Sequence, residues 1–126
     1  MKRILIAAAA ATLAAAPAFA DVATEINIAH THAGLAAKAK AVAGVHMHLH
    51  HALNCLVGPS GQGFDSTNLN PCAKAGNGAI PDSMDAAQKQ KLQAAVTQAE
   101  AGIAAADLAT AQKDAQATAD AIAAAK

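Results

Sequence analysis

Between Asp21 and Lys126 the chain has one Phe, Phe64, and no Tyr or Trp, so its core has to be assembled from Leu, Ile, Val, Met and a great deal of Ala. Alanine is the strongest helix former, and the β-branched residues that would favour strands are few. Alanine also lets helices approach closely, but each buried methyl removes little area from water. The expectation is an all-α fold with a thin core. Such a fold gains from a covalent tie, and the chain has two cysteines, Cys55 and Cys72, to make one.

The first twenty residues read as a targeting segment. Lys2 and Arg3 give a positive start, Ile4 to Ala16 is an apolar run too short for a comfortable membrane span, and Ala18-Phe19-Ala20 has the small-x-small form of a cleavage site. Cleavage after Ala20 would leave residues 21–126 as one helical domain in the periplasm or outside the cell. Losing Lys2 and Arg3 turns a balanced charge into a small acidic excess. No basic patch with interleaved aromatics points to nucleic acid, and no second apolar run is long enough for the bilayer. In an oxidising compartment Cys55 and Cys72 are expected to pair.

Taken in order, the sequence predicts a long first helix from about Val22 to about Leu56. At 100° per residue Ile28, Leu35, Val42, Val45, Leu49, Leu53 and Leu56 fall on one stripe, which is expected to face the core. Gly34 and Gly44 allow close packing or a bend. Residues 57–80 change character. Gly58-Pro59-Ser60-Gly61 stops the helix, and Asp65-Ser66, Asn70-Pro71 and Gly76-Asn77-Gly78 are turn signals. A loop of that length needs an anchor, which a Cys55–Cys72 disulfide supplies. A second helix is expected to begin at an Asp82 or Ser83 cap behind Pro81, with Met84, Leu92, Ala95, Val96, Ala99 and Ile103 on its inner face. Leu108 and Ile122 break the phase of that stripe. They predict a tight turn near Ala104 to Ala106 and a third helix capped by Asp107. The resulting architecture is a three-helix bundle, a long N-terminal helix packed on a C-terminal helical hairpin, with the loop stapled by Cys55–Cys72.

The chemistry is concentrated in Val45 to Cys55, where His46, His48, His50 and His51 lie within six residues; His30 and His32 precede them. On a helix His46 and His50 stack four apart on one face, and His48 and His51 lie three apart on another, with Cys55 four further along. Such pairs can hold one ion in a bidentate way, as in the helical His-x-x-x-His of zinc proteases. Two ligands do not complete a tetrahedral site, so others must come from elsewhere in the fold, from solvent or from a second chain. In one straight helix His30 and His32 are about 20 Å or more from the cluster at 1.5 Å per residue. An antiparallel homodimer, or a bend at Gly34 or Gly44, would bring them to it.

Imidazole suits copper, nickel and zinc, and the affinity order favours copper. Met47 adds a thioether beside the histidines but points along neither pair. Asp65, Asp82 and Asp85 carry oxygen donors, with turn and cap roles the simpler reading of each. The parts of an enzyme are missing from the sequence: no glycine-rich phosphate loop follows a strand, and there is no Cys-x-x-Cys-His for covalent haem.

The combination of an alanine-rich exported chain, helical histidines and scarce aromatics resembles the small periplasmic histidine-rich metal-binding helical-bundle proteins. The resemblance covers Asp21 to Leu56 and implies buffering or scavenging of copper, nickel or zinc, with a role in metal resistance. Those proteins repeat their histidines along several helices; here one stretch carries them. The competing expectation is an exported structural or interaction module whose histidines respond to pH without metal.

Overall fold

The computed structural model describes residues 20–126, so all of the expected signal segment except Ala20 lies outside the described residues. The secondary structure among them is entirely helical: α1 (Val22–Lys38), α2 (Val42–Val57), the single turn α3 (Ala79–Asp82), α4 (Ala86–Ala104) and α5 (Leu108–Ala123). None of these helices is long and apolar enough to cross a membrane. Cys55 and Cys72 form a disulfide with their Cα atoms 5.2 Å apart.

The expected single helix from Val22 to Leu56 is two helices. The chain leaves α1 at Ala39 and re-enters helix after Ala41, both of which are extended. Neither proline nor glycine occupies the break, and local propensity favours continuing the helix. Packing overrides it. A continuous helix of that length would run to roughly 50 Å with half its apolar face uncovered. Folded back, α1 and α2 bury Ile26, Ala29, Ala33 and Ala36 against Val45, Leu49, Ala52 and Leu56. The turn is held from outside, because the Gln112 side-chain amide of α5 donates to the Ala39 carbonyl at 2.8 Å. A Cβ at Gly44 would lie 3.3 Å from the Ala39 Cβ, so the absence of a side chain there relieves the close approach.

The break also resets the helical phase, which corrects the predicted stripe. Val45, Leu49, Leu53 and Leu56 are buried as expected, whereas Leu35 on α1 is 45% exposed. Ile28 and Val42 are only partly covered.

The second hairpin follows the prediction more closely. The side chains of Asp85 and Asp107 accept from the backbone N–H groups of Gln88 and Thr110 at 3.0 and 2.9 Å, which caps α4 and α5. The cap of α4 is therefore Asp85 rather than Asp82 or Ser83. Pro81 and Asp82 belong to α3, and Met84, expected on the inner face, is 98% exposed just ahead of the helix. In place of a three-helix bundle, α1 packs on α2 and α5, and α4 packs on the same two helices. The core has two parts. One, near the disulfide, gathers Ile26, Leu53, Leu56, Leu92, Val96 and Ile122; the other, near the hairpin turns, is Ala36, Val45, Leu49, Ala99, Ala111 and Ala115.

The segment between α2 and α4 is turn-rich, as expected, and is fastened at three points. The disulfide is one. Asn54, fully buried inside α2, is the second: its amide donates to the carbonyls of Asp65 at 2.9 Å and Leu69 at 3.2 Å, and its oxygen accepts from the Asp65 N–H at 2.9 Å. Glu25 of α1 is the third, accepting from the Gly78 N–H at 2.8 Å. Gly58 ends α2 with a φ of 69°, and a Cβ there would sit 1.5 Å from the Asn77 carbonyl oxygen. Only glycine serves where the two strands of the loop cross that closely.

Candidate metal centre

The hairpin turn at Ala39–Ala41 is what assembles the site. Lys40 lies midway in sequence between His32 and His48, so folding α1 back along α2 sets those two residues opposite one another. Their Nδ1 atoms are 3.3 Å apart. His51, one turn beyond His48 on α2, completes the group. Its ring centroid is 5.0 Å from that of His32 and 5.8 Å from that of His48, in both cases edge to face. One ligand nitrogen from each of the three can be chosen so that all lie within 4.8 Å of one another.

These distances suit a common ion. With metal–nitrogen bonds of about 2.0–2.1 Å, the edge of a tetrahedral site is about 3.3 Å. The His32–His48 separation already has that length, and a His51 nitrogen lies within 4.8 Å of a nitrogen of each of the other two.

The electrostatics favour the ligand form of the imidazoles. Burial holds His32 below the ordinary histidine range, and the neighbouring His51 and His48 add to the effect. His51 is lowered in the same way, by burial first and then by His48 and His50. A proton on one ring disfavours a proton on the next. Both effects favour the neutral imidazole, the form that binds a cation. The Nδ1 of His51 is buried and has no hydrogen-bond partner among the described residues.

The other three histidines face elsewhere. His46 Nε2 lies 3.0 Å from the Ala105 carbonyl and ties the two hairpin turns together. His50 Nδ1 lies 3.4 Å from the Asp65 carboxylate, towards the loop. His30 is partly buried on α1, where burial lowers its pKa, the Lys126 charge lowers it further and Asp120 opposes the shift. The predicted pair His48 and His51 is thus joined by His32, while His46 and His50 are divided between two different neighbours.

The nearby acidic groups have structural work. Hydrogen bonds from the Thr67 hydroxyl and N–H and from the Asn68 amide hold the Asp65 carboxyl at about 2, with His50 contributing last. Asp82 accepts from the Asn77 N–H at 2.6 Å, and Asp85 caps α4. Cys55, which the helical register sets one turn beyond His51, is closed in the disulfide and presents no thiolate.

Sequence reasoning placed His32 too far away because the break in the first helix carries no proline or glycine to announce it. The signal that existed was the symmetry of His32 and His48 about Lys40. It becomes visible only once a turn there is considered.

No family model, curated protein or solved structure matches the chain.

Proposed function

We propose that this protein is exported and binds one transition-metal ion, copper, nickel or zinc, through His32, His48 and His51, serving to buffer or sequester the metal. The observation that carries the reading is the convergence of three imidazoles from two helices, with ligand atoms within 4.8 Å of one another. Three within-chain ligands leave a fourth position open. That arrangement holds an ion without requiring a second copy of the chain.

The test is calorimetric titration of metal-free protein with Cu(I), Cu(II), Ni(II) and Zn(II) at neutral pH. It compares wild type with His32→Ala/His48→Ala/His51→Ala and with His46→Ala/His50→Ala. Micromolar or tighter binding, lost in the triple variant and kept in the double one, is the expected result. Binding that survives in the triple variant, or none in wild type, would overturn it.

The competing reading, a pH-responsive module without metal, draws on the same crowding. Acid would place like charges on His32, His48 and His51 and loosen the α1–α2 hairpin. An acid transition unaffected by added metal would favour that account. Under the metal reading, metal shifts the transition to lower pH, because ions and protons compete for the same nitrogens.

A further inference from the structure

The loop between α2 and α4 carries a second piece of chemistry, at Asn77-Gly78. Of the asparagines Asn27, Asn54, Asn68, Asn70 and Asn77, only Asn77 is followed by glycine. An asparagine side chain loses ammonia when the backbone nitrogen of the next residue attacks its Cγ and closes a five-membered imide. A side chain on that next residue shields the nitrogen, and a proline there has no N–H to give up. Gly78 presents neither obstacle. Asn77 is exposed, so water reaches the imide once it forms.

The fold adds what the dipeptide lacks, a base on the attacking nitrogen. The Gly78 N–H donates to Glu25 Oε1 at 2.8 Å. Glu25 is fully buried, and its Oε2 has no hydrogen-bond partner among the described residues. A carboxylate so poorly solvated takes up a proton more readily than an exposed one. The N–H bond lies in the peptide plane, whereas attack on Cγ uses the electron density above it, so a base along the N–H bond leaves that path clear. Asn77 is tethered as well: its side-chain amide donates to Asp82 Oδ1 at 3.2 Å and its backbone N–H to Asp82 Oδ2 at 2.6 Å. The side-chain bond is the one that opens when Cγ turns towards Gly78. An exposed hydrogen bond of this kind slows the step by about fivefold. A placed base speeds proton transfer by about a hundredfold or more, which outweighs the tether.

We propose that Asn77-Gly78 is a self-modification site, with Glu25 as the group that accepts the Gly78 amide proton. The bond from Gly78 N to Asn77 Cγ forms, and the Cγ–Nδ2 bond breaks. The proton taken by Glu25 passes to the departing nitrogen, which leaves as ammonia, and Glu25 returns to the carboxylate. Water then opens the imide at either of its two carbonyls, leaving aspartate or isoaspartate at position 77. Both products replace a donor to Asp82 by a like charge. Isoaspartate also lengthens the main chain where the Asn77 carbonyl passes against Gly58, a crossing without room even for a Cβ. The modification therefore unfastens the loop from α1 and α3. None of this draws on the histidine triad.

The test incubates the protein in ¹⁸O-labelled water at neutral pH and follows each asparagine by peptide mapping and mass spectrometry. It compares folded wild type, Glu25→Gln, and wild type held unfolded in guanidinium chloride, where Glu25 and Gly78 are apart. Conversion of Asn77 is expected to be about tenfold or more faster in folded wild type than in either of the others. Asn27, Asn54, Asn68 and Asn70 are expected to stay largely unconverted in the folded protein. The unfolded arm decides the question even if Glu25→Gln fails to fold. Equal rates in wild type and folded Glu25→Gln, or slower conversion in folded wild type than in denaturant, would overturn the proposal.

Discussion

The two hairpins are built alike and used differently. The first has helices of 17 and 16 residues, and the second helices of 19 and 16. Each turns through a short stretch that is mostly alanine and contributes an alanine-lined face to the core. All six histidines lie on the first hairpin, and none on the second. The first is also the one fastened to the long loop, through Asn54, Cys55 and Glu25. The comparison teaches that the scaffold and the chemistry are separable here. Any pair of alanine-rich helices supplies the inner faces, but it is α1 and α2 that bring imidazoles from both helices together.

The comparison breaks down if the second hairpin matters to metal binding beyond holding the fold. Leu92→Ala removes a fully buried side chain from α4. It is expected to cost about 2–5 kcal/mol by urea denaturation, the largest effect considered, because a thin alanine core has little with which to refill the space. Metal affinity of the folded variant is expected to equal that of wild type. A loss of affinity would show that the scaffold tunes the site.

Changes where the first hairpin meets the loop come next. The disulfide spans 17 positions in sequence. Replacing both cysteines by alanine is expected to cost about 3 kcal/mol in the chain-entropy account. Asn54→Ala leaves the Asp65 N–H and two loop carbonyls without their partner. It should cost about 1–3 kcal/mol, measured in the same way. If Asn54→Ala were neutral, the loop would be held by the disulfide and Glu25 alone.

The smallest effect sharpens the comparison through pH. Glu25 is fully buried; burial raises its carboxyl above the ordinary 4.5, the Gly78 N–H opposes the shift, and Asp82 and Asp21 add to it. One of its oxygens, Oε2, has no hydrogen-bond partner among the described residues. A carboxyl with a raised folded pKa holds its proton more tightly in the native state. Its contribution is complete below the unfolded value and is lost as pH rises through the folded one. Glu25→Gln keeps an acceptor for the Gly78 N–H and cannot ionise. Wild type is therefore expected to lose stability relative to Glu25→Gln as pH climbs above 4.5. A constant difference between the two across that range, in denaturation at a series of pH values, would show that Glu25 titrates normally.

Several parts of this arrangement were legible in the sequence because their causes are local. Asp107 marks the start of α5 through a side chain that reaches the N–H of Thr110 three residues on, and the phase change at Leu108 announces the turn before it. Glycine and proline after Val57 end α2. His48 and His51 are neighbours by helical spacing alone. The pairing of Cys55 with Cys72 followed from there being two cysteines and an expected oxidising compartment.

The break at Ala39–Ala41 and everything that depends on it were decided by tertiary structure. Both hairpin turns are formed by alanine in extended conformation, but the second has Asp107 to cap its next helix, and the first has Ala41, with no capping side chain. Its stability comes from Gln112 donating across to Ala39 and from the apolar faces that folding back covers, and no local pattern encodes either. Asn54 is a similar case, a polar residue in a helix whose purpose lies 11 to 15 positions away. The sequence alone determined an alanine-rich helical chain, a disulfide and a stock of imidazoles. Which imidazoles meet depended on where a helix with no intrinsic breaking point was forced to turn, and only the gain from burying both its halves could set that.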